Sequence, residues 1–521
     1  MLHVSRHCAM EIGKDVIAIA PDGVPCAYQL KGLDGGMMTL SKWRDDLGKQ
    51  LHPLVHAKIV HPSLNTSQHH RSYIVVNGDF HEVVQREIDD FNRGMIDAGQ
   101  PERVVTTIVK GELFQAFNEL QSEFWATNLN DLKTYLELFL EDGSGPLPKQ
   151  KLASLLHDAL PLEPANKKRP SNNESARSLV GAAVICSAAI SSFTLAENHV
   201  AEFEAWTIFW CYTMGLAEKW KTPFKTIEFA ANLASDSIFS SLGRLCDELI
   251  TREHYFEGDP LLDRPVYGVR MTQLLGLMGL YGLLLQNKLR TNEGETDRQH
   301  LDFAIKFCEM HKNKLLLWGE YAIPQFLAWN YFRKTYDATP KGDFFYSTLI
   351  KTICRKNNID SKNTLPNAYY DAEAILPYEL GLANKPLNDS FSRYSHYLES
   401  LMHLFIRGNY KQEMKSLFPD ITQIGFRYFD PGDMWRYFMY RNEDCGTDIT
   451  KFLVPPHKWE DLRRKSEESN GDEIPFLLKE YPLHYLTMLL VMPYRVNASG
   501  LRWLDTILQD QIQDKSWMMN E

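Results

Sequence analysis

The sequence predicts an α/β N-terminal domain, a mixed sheet with flanking helices, followed by a large all-α region. Three observations carry that prediction. Over the first 140 residues, short apolar or β-branched runs alternate with helix-period segments in the order β-β-α-β-α-β-α, the pattern of a layered α/β unit. A polar, Pro-containing connector, PLEPANKKRPSNNES, follows at 161–175 and marks a boundary. Beyond residue 176 the chain reads as helix after helix, with almost nothing in strand period.

In order, GKDVIAIAPDGVPCAYQLKG (13–32) reads as two strands joined at Asp22-Gly23. Leu40, Trp43, Leu47, Leu51, Leu54 and Val55 recur at three- and four-residue spacing, giving an amphipathic helix over 40–57 that Pro53 bends or ends. YIVVNG (73–78) is a buried strand closing in an Asn-Gly turn. Val83, Val84, Ile88 and Phe91 mark one face of a helix over 79–97, and VVTTIV (104–109) is a β-branched strand. Leu113, Phe114, Phe117, Leu120 and Phe124 begin a helical stretch continued at 132–140 and 149–159. The expected domains are therefore 1–160, a linker at 161–175, and 176–521. A further division near 337–390 is suggested by Pro340, Pro366, Pro377 and Pro386.

A chain of 521 residues is too long for one core. Its net charge of −11 argues against a protein that coats nucleic acid non-specifically, while leaving room for a local basic groove or a bound metal. The eight cysteines form no CxxC, which fits reduced thiols. The N-terminus lacks a basic segment followed by an apolar run, so the expected location is cytoplasmic. Two apolar segments, 179–196 and 274–289, are short of the roughly 20 residues of a span and read as buried helices, so no membrane association is expected. Neither GxxxxGK[ST] nor GxGxxG occurs, which argues against a nucleotide cofactor.

The chemistry-bearing stretch is 11–32. Asp15 opens the first strand, and Gln29-Leu30-Lys31 ends the second. Gln29 and Lys31 are two apart and leave one face of their strand. Metal-assisted phosphodiester hydrolysis needs carboxylate oxygens for Mg²⁺ or Mn²⁺ and a positive group near the attacking water. Asp15 is a metal-ligand candidate, the Leu30 carbonyl a backbone one, and Lys31 the positive group. A three-residue loop at 22–24 would set Asp15 opposite Lys31 on a shared face. A two-residue Asp22-Gly23 turn would set it opposite Leu30, on the wrong face.

This segment, followed by a helix bearing Gln50 and the strand YIVVNG, resembles the PD-(D/E)xK nuclease superfamily. It is most similar to the Mrr-like restriction endonuclease branch, in which Gln replaces the acid of the triplet. The resemblance covers about residues 5–110. It implies a restriction-endonuclease-like domain with Asp15 as metal ligand, Gln29 at the substituted position, Lys31 as catalytic lysine and Gln50 joining the site. It further implies an Mg²⁺- or Mn²⁺-dependent deoxyribonuclease acting on double-stranded DNA, in restriction or anti-phage defence. Such an enzyme works as a homo-oligomer or with a partner protein of a defence system. The family's upstream acidic helix has no counterpart here; Glu11, or an acid from another subunit, is the candidate replacement. An inactive nuclease-like scaffold or DNA-binding module is the alternative expectation.

Other clusters have simpler explanations. His52 and His56 share i,i+4 spacing, and His61, His69 and His70 follow, but no HExxH motif is present. The aromatics Trp206, Phe209, Trp210 and Tyr212 read as core. The runs 167–169 and 463–465 are too short to argue for phosphate contacts.

Overall fold

The computed structural model describes residues 3–4, 14–20, 22–33, 36–59, 69–113, 115–116, 129–162, 168–252, 264–290, 294–337, 344–358, 364–380, 382, 393–440, 447–453, 458–468 and 474–513. The chain divides into two compact units, Met1–Glu123 and Phe124–Glu521.

The first unit is α/β. Its five strands are β1 (His3–Val4), β2 (Val16–Ile19), β3 (Pro25–Lys31), β5 (Arg71–Val76) and β7 (Val105–Ile108), in the order β1-β2-β3-β5-β7. β1, β2 and β3 run antiparallel, whereas β3, β5 and β7 run parallel. The sheet is therefore mixed, as the sequence pattern predicts. Two short strands, β4 (Met37–Met38) and β6 (Asp79–Phe80), pair separately.

Parallel neighbours require crossovers, and helices supply them. α1 joins β3 to β5 and is continuous from Leu40–Lys42 through a π turn at Trp43–Leu47 to Gly48–His56. Pro53 sits inside the helix without ending it. α2 (Glu82–Asp97) joins β5 to β7. Trp43, Leu47, Leu51, Leu54 and Val55 of α1 and Val84 and Ile88 of α2 pack with Ala27, Ile74, Val76 and Val105 of the sheet. Val83, expected on this apolar face, is 40 % exposed, because the buried stripe runs through Val84 and Ile88. The strand pattern matches: Ser72, Ile74 and Val76 are buried and alternate with Arg71, Tyr73 and Val75.

The second unit is mostly helical, with one large core. The helix Lys149–Ala159 buries Leu152, Leu155 and Leu156 in that core. The division thus falls at 123/124, ahead of the 161–175 connector expected from composition, because apolar burial outweighs the polar punctuation that follows. The expectation of an all-α region is also corrected. Tyr394–Ser395, Gly425–Asp430 and Thr447–Lys451 form a three-stranded sheet. Gly425–Asp430 buries Phe426 and Phe429 and leaves Arg427 and Tyr428 half-buried, a pattern without clean two-residue alternation that gives little strand signal in the sequence.

Among the described residues one helix, Val266–Leu289, has the length and composition to cross a membrane, and 78 % of its most apolar window is buried within the protein. Gly276, Gly279 and Gly282 let it lie against Ile323–Tyr336. A Cβ at these positions would collide with Gln325, Ala328 and Phe332, respectively. Phe209, Trp210 and Tyr212 are fully buried, and Trp206 packs edge-on against Phe209, so that cluster is core.

Glu202 adds a pH dependence to this unit. Burial alone pushes its carboxyl up, but hydrogen bonds from His199, Thr194 and Arg244 outweigh it and bring the pKa from 4.5 down to about 2. Between those values the unfolded chain binds the extra proton, so stability rises with pH. The stabilisation is complete above about pH 4.5 and is lost as pH falls through about 2. In urea unfolding from pH 6 to 2.5, Glu202→Gln is expected to flatten this decline; an unchanged slope would contradict the assignment.

Candidate active site

The site is built where β3 ends. Register fixes its geometry: Val16 pairs with Tyr28 and Ile19 with Pro25. The Ala20 N–H donates to the Val24 carbonyl at 2.9 Å, so the connection spans 21–23, one residue earlier than the three-residue loop considered from sequence. Carried one step further, this register would put Asp15 against Gln29. Instead the Asp15 N–H donates to the Tyr28 carbonyl at 2.9 Å, setting both Asp15 and Val16 against Tyr28, two residues against one as in a bulge.

The bulge aims the carboxylate. Asp15 Oδ2 accepts from the Leu30 N–H at 2.7 Å and from Gln29 Nε2 at 2.7 Å. Asp15 therefore meets Gln29 through this side-chain contact, whereas face parity with Lys31 was the route expected from sequence. The Leu30 amide is turned to the β2 edge, and Leu30 N–H and C=O point to the same side of a strand. Its carbonyl accordingly belongs to the edge occupied by Asp15.

Lys31 has a different partner. Its ammonium forms an ion pair with Asp46, with side chains 39 % and 35 % exposed. Asp46 lies in the π turn of α1, a type of distortion frequent at functional sites. Gln50, four residues on, directs Nε2 to Asp46 Oδ1 at 3.5 Å. Two linked sets result, Asp15–Gln29 and Lys31–Asp46–Gln50, joined through the shared face of Gln29 and Lys31 on β3. Asp46 was missed by sequence reasoning. The available signal was its i,i+4 spacing from Gln50 on one helix.

Gln29 is 7 % exposed, and its Oε1 is buried without a hydrogen-bond partner; Gln50 Oε1 is likewise buried and unpartnered. An unmatched buried carbonyl costs about 1–3 kcal/mol. Two carboxylates and two such amide oxygens are hard ligands of the kind that suit Mg²⁺, which uses one or two carboxylates and retains water. No group of three or more His, Cys, Asp or Glu residues forms a metal cluster among the described residues. Glu11 lies outside the described residues.

The surrounding scaffold is tight. Lys14 Nζ donates to the Pro53 carbonyl of α1 at 2.9 Å, and burial lowers its pKa to about 8. Asn77 Oδ1 accepts from the Leu33 N–H at 2.6 Å, strapping the loop after β3 to the end of β5. Gly78 follows because a Cβ there would strike the Gly36 backbone.

No family model, curated protein or solved structure matches the chain. The other clusters picked out in the sequence are engaged elsewhere, where they fall among the described residues. His56 contacts Arg103 at 2.6 Å and His70 the Leu54 carbonyl at 2.7 Å, while burial lowers the pKa of both rings. His61 and Lys167 lie outside the described residues. Arg463, Arg464 and Lys465 are paired with Glu467, Asp461 and Glu399, and Arg169 donates to the Lys221 carbonyl.

Proposed function

We propose that the first unit is a metal-dependent endonuclease that hydrolyses phosphodiester bonds of double-stranded DNA, in restriction or anti-phage defence. The observation that carries this reading is that Asp15 meets Gln29, and Lys31 and Gln50 meet at Asp46, with Gln29 and Lys31 on one face at the end of β3. Asp15 would hold the cation, with the Leu30 carbonyl at the same edge. When bound, Mg²⁺ or Mn²⁺ polarises the phosphate and a bound water. Lys31 would face the attacking water and the negative charge that develops on the phosphate. Gln29 holds Asp15 in place through its amide N–H. The helical second unit serves sensing, assembly or partner binding, with dimerisation supplying one site for each DNA strand.

A second reading is a nuclease-like module that binds DNA without cutting. It is favoured by the engagement of Lys31 with Asp46 and by the lack, among the described residues, of any group of three or more His, Cys, Asp or Glu side chains placed to hold a metal. The two separate in one assay. Supercoiled plasmid incubated with the purified chain is expected to become nicked and linear in Mg²⁺ or Mn²⁺ and to stay intact in EDTA. Duplex retention on a gel with intact DNA under every metal condition would favour the second reading.

A further inference from the structure

The site holds an acid that the sequence pattern does not assign, and it is occupied by the site's own lysine. We propose that Asp46 is the second carboxylate of the cation site and that its ion pair with Lys31 is a resting lock, opened when a divalent cation takes Asp46 and releases Lys31 toward the substrate. This rests on the nuclease reading above.

The amide orientations point the same way. Gln29 and Gln50 each turn Nε2 to a carboxylate, Asp15 and Asp46 respectively, and each leaves a buried carbonyl oxygen without a partner. Rotation about the last side-chain torsion exchanges the amide N and O positions. A divalent cation held by Asp46 would offer Gln50 Oε1, one helical turn away, the partner it lacks. The same ion would compete directly with the Lys31 ammonium for Asp46. The half-exposed Lys31–Asp46 pair is of a weakly held kind, so displacement by a divalent charge is feasible. The π turn fixes where Asp46 sits: the Gly48 N–H donates five residues back to the Trp43 carbonyl, and Trp43 is buried in the core of the first unit.

The test is Mn²⁺ titration of the full chain, followed by loss of the free-ion paramagnetic resonance signal, on wild type, Asp15→Asn, Asp46→Asn and Lys31→Met. Asp15→Asn and Asp46→Asn are each expected to weaken binding by about 10-fold or more. Lys31→Met is expected to tighten it by about two- to fivefold, since it removes the competing ammonium. Misfolding cannot mimic that gain. Weakened binding in Asp15→Asn with wild-type binding in Asp46→Asn would overturn this inference and spare the nuclease reading. Unchanged or weaker binding in Lys31→Met would overturn the lock. No saturable binding by the wild type would sink both.

Discussion

Lys31→Ala is expected to lower DNA cleavage by about 10²–10³-fold while leaving duplex binding within a few-fold of wild type. That range is typical when one preorganised group facing transition-state charge is removed. The side chain is 39 % exposed and ends in an ion pair rather than in the core, so its loss should cost the fold no more than about 1 kcal/mol. Stability and activity should therefore separate cleanly. Lys31→Arg keeps the charge but replaces a compact ammonium with a planar fork, and it should restore the contact to Asp46 without restoring much cleavage. Cleavage by Lys31→Ala within tenfold of wild type would remove Lys31 from the mechanism.

Arg495→Ala is expected to be the most destabilising single change in the second unit, at about 3–5 kcal/mol. Arg495 is only 2 % exposed. Its Nε and a terminal nitrogen both donate to the Met439 carbonyl, at 3.2 and 2.7 Å, and its guanidinium lies 3.5 Å from the centre of the Phe429 ring. Truncation would empty that space and leave the Met439 carbonyl without these donors. Arg495→Lys retains charge and most of the stem but loses the fork and the flat face on Phe429, so it should fall between. Urea unfolding of the full chain measures both. A midpoint for Arg495→Ala consistent with less than about 1 kcal/mol would show that the neighbouring side chains close the gap.

Much of the first unit was legible in sequence because its signals are local. The apolar run YIVV before Asn-Gly, the apolar stripe from Leu40 to Val55 and the β-branched VTTI each specify an element without help from elsewhere. Gln29 and Lys31 were placed together for the same reason, by the period of one strand. The failures are all cases in which distant parts of the chain decide. The bulge at Asp15 depends on which carbonyl of β3 its N–H finds. Asp46 becomes part of the site only once α1 has folded back over the end of β3, and its spacing from Gln50 distinguishes it from Asp45 only when Gln50 is already counted in the site. The strand Gly425–Asp430 pairs with Thr447–Lys451 and Tyr394–Ser395, segments separated from it by helices or loops. The 149–159 helix joins the second unit because that unit offers its apolar face a core.

The central claim is that Asp15 and Lys31 form a working phosphodiesterase centre, and cleavage of supercoiled plasmid by the purified full chain tests it most directly. Wild type, Asp15→Ala and Lys31→Ala are compared at equal concentration in Mg²⁺ and in Mn²⁺, after thermal melts establish that each is folded. The account predicts nicked and linear products from the wild type alone, abolished by EDTA. Cleavage within tenfold of the wild-type rate in either variant would contradict it.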